Sequence, residues 1–295
     1  MANLKYVSDM FDWMSISTND PNTWDRIHNH DMLEFDDLIR HGEMISSKTK
    51  YKDIRIELWY RSRTVKLGFS PHKLYNDLHR IVNYAGIAMN HDTFTPEALT
   101  WVFKWLRERF AVHPENCRLH HIEFGVNLSK LSILTKKILD SLIVYAYAGK
   151  QAGDMPVKGV GYGRVFEFAQ YKLKFYDKAL QNMLAYNILR IEYKAKKIQA
   201  VKGIFGTHPF LSELLNPDLW IRCKNRIIAV TDYCIFDDEF GNHIHDRVEK
   251  WKNPREWKEM SSAQRSRERK RFEDFINQHG QMKIKKMIQH HIEEE

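Results

Sequence analysis

The 295-residue chain reads as an α+β protein: an antiparallel sheet core with helices on one side and a basic helical appendage at the C-terminal end. Three observations carry that reading. Several short segments alternate apolar and polar residues with period two, the pattern of half-buried strands. Others repeat apolar residues at helical spacing behind capping residues. From Pro254 onward the pattern is helical, basic and polar throughout.

Taken in order, the run Phe11 to Ser17 is the first strand candidate, and the polar stretch through Thr23 is a turn. Within 52–69, Ile54, Ile56, Leu58 and Tyr60 share one face while Arg55, Glu57 and Trp59 share the other, which predicts paired strands over 53–60 and 63–69. Helices are expected over 71–84 and 95–111. In the second, Thr95 is placed to cap and Pro96 to open the helix, and Leu99, Val102, Phe103, Leu106 and Phe110 form an apolar face. Residues 119–127 alternate again, with Ile122, Phe124 and Val126 opposite His121, Glu123 and Asn127. Beyond them the pattern predicts a helix over 128–147, a Gly-rich hairpin or loop over 149–163, one or two strands over 164–178 and a short helix over 179–186. A strand over 188–195, a helix over 208–219 and a strand over 225–236 complete this part. In the tail, Trp257, Phe272, Phe275, Ile276, Met287 and Ile292 are the apolar points. Two units are expected, a sheet-based domain over 1–240 and a helical appendage over 241–295. An echo of 64–76 and 119–127 in 171–181 and 188–195 suggests an internal duplication.

Composition narrows the function. The apolar fraction is 43%, enough for a large core, and no stretch reaches the 18 apolar residues of a membrane span. The N-terminal residues carry acids and no apolar segment of the secretory kind. Cys117, Cys223 and Cys234 are odd in number and far apart, which suits buried thiols in a reducing cytoplasm rather than disulfides or a zinc site. The formal charge is +8, but residues 1–50 hold nine acids and five bases, so the remainder carries +12. Half of that excess lies in 247–271, and a second concentration spans 172–202. Segregated positive charge suits a polyanion, whose condensed counterions are released on binding; the alternative is a solvated basic face.

Chemistry concentrates in 172–178, KLKFYDK. On a strand, Lys172, Lys174, Tyr176 and Lys178 share one face and Leu173 and Phe175 the other. Such a face makes sense if it opens to an anion: flanking ammonium groups favour the phenolate of Tyr176 as a nucleophile and stabilise an attacked phosphate. An exposed edge with snorkelling lysines is the alternative. Two neighbouring strands carry a lone acid, Glu123 and Glu192, and converging carboxylates suit Mg²⁺ or Mn²⁺. Equally, Glu192 can pair with Arg190 or Lys194 across the sheet. His243, Ile244 and His245 form a His-hydrophobe-His triplet that is a weaker metal candidate, as are His120 and His121.

The segments MFDWMSI, HKLYN with MNHDTF over 72–94, HIEFGVNL, KFYDK and LRIEYKAK together resemble the phage and plasmid replication initiators, in particular the gene II type of filamentous phages and the related replication initiation factors of rolling-circle plasmids. The resemblance spans roughly residues 10–200. It implies a site-specific endonuclease and strand transferase of a bacterial cytoplasm, in which Tyr176 takes a 5′-phosphotyrosyl link and frees a 3′-hydroxyl for the host polymerase. By the same resemblance Lys174 and Lys178 stabilise the phosphate, and Glu123 and Glu192 hold the divalent metal. Double-stranded origin DNA, single-stranded DNA and a host helicase are the implied partners. Lys172, Arg190, Lys194 and the tail residues Arg265, Arg267, Arg269, Lys270 and Arg271 are the expected phosphate contacts. Trp251 and Trp257 either stack on unpaired bases or anchor the tail. A non-catalytic origin- or operator-binding protein, and a relaxase for conjugative transfer, are the competing readings.

Overall fold

A computed structural model describes residues 11–82, 86–90, 92–157, 161–206, 209–237, 246–279 and 283–294; the His243–His245 triplet lies outside them. The first half of the chain runs β1 (Phe11–Thr18), α1 (Pro21–His28), β2 (Asp36–Arg40), β3 (Glu43–Tyr51), β4 (Ile54–Trp59), β5 (Thr64–Phe69), α2 (Pro71–Leu78) and α3 (Pro96–Phe110). The second begins β6 (Arg118–Ser129), α4 (Thr135–Ser141), β7 (Leu142–Tyr145), β8 (Lys150–Gln151), β9 (Gly153–Val157), β10 (Gly161–Glu167), β11 (Tyr171–Asp177), α5 (Lys178–Asn182) and β12 (Ile188–Ala195). It closes with α6 (Ile198–Phe205), α7 (Pro217–Asp232), β13 (Cys234–Phe236), α8 (Asp246–Lys252), α9 (Pro254–Glu259), α10 (Ser262–His279) and α11 (Lys283–Glu294).

Among the described residues, ten strands form one antiparallel sheet in the order β2-β3-β4-β5-β1-β6-β12-β11-β10-β9. The α+β class with an antiparallel core and a helical C-terminal region is therefore as expected. One sheet face is apolar: Ile16, Ile56, Leu67, Ile122, Phe124, Phe175 and Ile191 are buried with residues of α3, α6, α7 and α11 in a single core. Burying such β-branched and aromatic side chains at about 25 cal/mol per Å² is the main force holding the sheet to its helices. The alternate residues face the other way, which puts Arg55, Glu57, Lys66, Trp13, Glu123, Glu192 and Lys174 on one polar face.

The duplication is real in the ladders, but with a different correspondence from the sequence echo. In each half the opening strand lies beside the last strand of a four-strand meander, and the opening strands β1 and β6 pair antiparallel at the centre. A two-fold axis through the Met14–Ile122 pair therefore relates the halves. Ser17↔Lys66↔Glu57↔Lys48 in the first half repeats as Gly125↔Glu192↔Lys174↔Val165 in the second. Thus 54–59 matches 171–176 and 64–69 matches 190–195. The echo instead set 64–69 against 171–176.

Several local expectations need correction. Residues 21–28 form a helix, because Asp20 accepts a hydrogen bond from the Thr23 amide and Pro21 starts the turn. The polar strands β2 and β3 show no alternation strong enough to announce them. The helix expected over 128–147 shrinks to α4, since β6 continues to Ser129 and β7 follows at once. Residues 225–232 are helical rather than extended: Leu219, Trp220, Cys223, Ile227 and Val230 recur at helical spacing and are buried, which outweighs the local β-branched content. All three cysteines are free and buried.

The tail does not stand apart at 240/241. Helices α8, α9 and α10 pack on the small sheet β13-β7-β8, where Trp251, Trp257, Phe272 and Ile276 share a core with Val144 and Ile235. Both tryptophans are fully buried, so they anchor the tail rather than meet bases. Helix α11 returns to the main core through Ile284, Ile288 and Ile292. Among the described residues no helix is long and apolar enough to cross a membrane.

Gly125 sits opposite Glu192, and a Cβ there would collide with the carbonyl oxygen of Ile191 and lie 2.9 Å from the Glu192 Cα. Gly125→Ala is expected to lower stability by at least about 2 kcal/mol in denaturant unfolding, because backbone must move. Gly203→Ala in α6, where a Cβ meets nothing within 4 Å, should instead raise it by about 0.5–1 kcal/mol.

Candidate active site

The polar face of the second half places its ionisable side chains by register. Lys174 lies opposite Glu192 and Tyr176 opposite Arg190, while Lys194 lies opposite both Lys172 and Glu123. The Lys174 ammonium joins the two carboxylates, donating to Glu123 at 3.0 Å and making a shorter contact with Glu192. Lys194 pairs with the other oxygen of Glu123. The Tyr176 hydroxyl donates to Glu192 Oε2 at 3.2 Å, and Arg190 Nε approaches the same oxygen at 3.4 Å. Arg190 also donates to Asn127 Oδ1 at 2.9 Å and lies 3.6 Å from Asp12 Oδ2. Lys178 is the first residue of α5, not the last of the strand, and its ammonium sits 5.8 Å from the Tyr176 ring centroid. It donates to Asn90 Oδ1 at 2.7 Å, and Asn90 in turn donates to Asp12.

Burial decides the electrostatics. Glu192 and Arg190 are each 1% exposed and Tyr176 4%. Burial, then the Glu192 charge, push the Tyr176 phenol well above the ordinary tyrosine value. The expected lysine-stabilised phenolate is thereby corrected: the nearest lysine charge is spent on the carboxylates, and the phenol is neutral. Burial opposes ionisation of Glu123, yet Lys174 and Lys194 outweigh it and hold the carboxyl below its usual range. Lys174 is also buried, but Glu192 and Glu123 raise its ammonium above the usual lysine value. Burial brings Lys178 down to about 8, Asp12 opposing the shift and Arg190 adding to it.

The sequence-based candidates thus divide. Tyr176, Lys174, Glu123 and Glu192 come together in one cluster with Lys178 at its edge. Arg190 belongs to the cluster as a buried structural cation, so it is not a surface contact for DNA. Lys172 is paired at 2.8 Å with Glu167 on the same face. In the tail, Arg265 donates to the Met260 carbonyl, Arg269 lies against Glu273 and the Tyr233 ring, and Arg271 pairs with Glu268. Arg267 and Lys270 are exposed. His120 lies 2.6 Å from the Ser17 hydroxyl, and the His121 ring, held neutral by burial and by Lys194, has a buried Nε2 without a hydrogen-bond partner.

A divalent ion does not fit the cluster as arranged. Each of the four oxygens of Glu123 and Glu192 already meets an ammonium, a guanidinium or a phenol. Glu123, Glu192 and Asp12 are balanced by Lys174, Lys194 and Arg190, leaving no excess negative charge to attract a cation. Among the described residues no group of three or more His, Cys, Asp or Glu side chains is disposed to hold a metal. Lys174 fills the role between the carboxylates that the sequence assigns to Mg²⁺ or Mn²⁺.

Three participants escaped sequence reasoning: Asp12, Asn90 and Asn127. Asp12 and Asn90 lie within MFDWMSI and MNHDTF, and Asn127 was read only as a polar-face position. Their signal was polarity inside otherwise apolar patterns. The segment around Asn90 is held by α2, where Asn76 donates to the Met89 carbonyl at 2.8 Å and to Asp92 at 2.9 Å, and His72 lies 2.8 Å from Asp92.

Fold and site define an α+β sheet protein with a buried tyrosine–carboxylate–lysine centre on the polar face of one half. No protein-family model matches the chain, and no curated protein matches it. Among solved structures it is similar to a rolling circle replication initiator protein from Geobacillus stearothermophilus, at 10% identity and a TM-score of 0.44, over 91% of this chain and 94% of that one.

Two measurements probe the cluster. Lys174→Met strands Glu192 without its ammonium and should cost about 3–5 kcal/mol in urea unfolding. Because the unfolded chain keeps the Lys178 proton up to the ordinary value of 10.5 while the folded chain releases it near 8, wild-type stability relative to Lys178→Met should rise with pH across that interval. A flat difference would show that Lys178 is not buried in solution.

Proposed function

We propose that the chain is a site-specific single-strand DNA endonuclease and strand transferase that initiates rolling-circle replication through a 5′-phosphotyrosyl intermediate on Tyr176. The observation that carries this is the Tyr176 hydroxyl donating to Glu192, a carboxylate that also meets Lys174 and Arg190. The sequence resemblance supplies the reaction class. The Tyr176 oxygen attacks phosphorus, the new O–P bond forms as the P–O3′ bond breaks, and the phenolic proton passes to Glu192. Glu192 is needed as proton acceptor because the phenol is neutral before attack. Lys178, with its ammonium near 8, is the acid that protonates the departing 3′-oxygen, and protonation of Glu192 frees the charge of Lys174 to offset the phosphate. Reversal of the step rejoins the strand. Supercoiled origin DNA and the displaced single strand are the substrates, and a host helicase and polymerase are the partners this role requires.

One observation favours a second reading. Tyr176 is almost wholly buried, as expected for a non-catalytic origin-binding protein in which the cluster only stiffens the sheet. Incubation with supercoiled DNA carrying the origin of its own replicon separates the two. Wild type should nick and leave a covalent adduct on a denaturing gel; Tyr176→Phe should do neither while binding the origin within a few-fold, and Glu192→Gln should abolish cleavage. An adduct formed by Tyr176→Phe removes Tyr176 from the mechanism, and no adduct from wild type leaves the binding reading. Running the same assay with chelator and with added Mg²⁺ or Mn²⁺ tests whether an ion exchanges with Lys174.

A further inference from the structure

The two-fold relation gives every position of the catalytic face a mate on the first half. Ser15 matches Glu123, Lys66 matches Glu192, Glu57 matches Lys174 and Trp59 matches Tyr176. One cross-strand pair has its charges reversed, one acid has become a serine, and the phenol has become an indole. The mate therefore lacks both a nucleophile and its proton acceptor.

What it keeps is equipment for gripping a polyanion with flat rings. The Trp13 indole lies over Gly68, where a Cβ would come within 3.0 Å of the ring. The Arg55 guanidinium is 5.1 Å from the Trp13 centroid, and the Lys66 ammonium 4.7 Å from that of Trp59. Among the described residues neither Arg55 nor Lys66 has a carboxylate within ion-pair distance, whereas Lys48 is neutralised by Glu57 at 3.1 Å. A cleft of about 400 Å³ opens between Trp13, Lys48, Arg55 and Lys66. Its inner wall, Trp13, is the register partner of Glu123, so the cleft and the catalytic cluster adjoin on one sheet face.

We infer that this half of the face is a second, non-cutting seat for single-stranded DNA, continuous with the catalytic cluster; the inference rests on the reading that the cluster acts on DNA. Unpaired phosphates meet Arg55 and Lys66, and unpaired bases stack on the Trp13 and Arg55 pair, a platform that a duplex, with its bases already stacked, cannot use. The seat holds one side of a strand while the other side is at Tyr176.

The test is fluorescence anisotropy of the full chain with a labelled oligodeoxythymidylate and with a duplex of the same length. The Arg55→Glu, Lys66→Glu double variant changes exposed side chains and should keep the wild-type melting temperature, yet weaken oligonucleotide binding at least about tenfold. Trp13→Ala should weaken it in the same direction through lost stacking. Duplex affinity should fall much less. Oligonucleotide affinity within about twofold of wild type in the double variant, or an equal loss for the duplex, overturns the seat. Nicking of origin DNA by wild type, measured alongside, separates the two claims: its absence with the binding loss present sinks only the proposed catalysis, and its presence with unchanged binding sinks only the seat.

Discussion

Lys174 is the constraint around which the second half is organised. Two carboxylates on adjacent strands, buried below a polar surface, would repel one another and resist desolvation. One ammonium between them removes both problems and fixes the relative positions of β6, β12 and β11. Gly125 makes the arrangement possible, because without a side chain it lets the Glu192 backbone approach. Arg190, Asn127 and Asp12 then extend the network to the start of β1, and Asn90 carries it on to Lys178. The cluster is thus a brace and a candidate reaction centre at once, and the same burial that makes it rigid holds the Tyr176 proton in place.

The halves share a ladder but not a chemistry. Their apolar faces correspond closely, with Ile56 and Leu58 matched to Leu173 and Phe175, and Val65 and Leu67 to Ile191 and Tyr193. Packing against helices restricts those positions in both copies. On the polar face of the first half Arg55 and Lys66 are exposed and Ser15 and Glu57 only half-buried, so exchanging a carboxylate for a serine or reversing a Lys–Glu pair costs little there. In the second half a single exchange would strand a buried charge. That difference in burial explains how one frame can carry a closed ionic centre on one side and an open basic and aromatic surface on the other.

Legibility followed the same division. Strands with one face in the core were readable because alternation is imposed by burial, as in 54–59, 119–127 and 188–195. Strands β2 and β3 were not: β2 is exposed throughout, and the buried residues of β3, Ser46 and Ser47, are adjacent and polar, so neither strand alternates. Helix α7 was half missed because Ile227, Ile228 and Val230 satisfy a strand template over a short window; only the longer spacing from Leu219 shows the helix. For Trp251 and Trp257 the sequence favoured anchoring to the core over stacking on bases, and the small sheet supplied the core they join.

By itself the sequence determined the class of fold, the strands that carry Glu123, Tyr176 and Glu192, and the face on which each lies, because period-two geometry leaves a side chain no third direction. The tertiary structure alone decided how those groups are charged and what they touch. Lysines flanking a tyrosine read as phenolate-stabilising when taken along the strand, but across the strands Lys174 is drawn to two carboxylates. Arg190 reads as a surface base in the chain and is a buried strut in the fold. Cross-strand register and depth of burial set these outcomes, and both depend on which distant segments the sheet brings together.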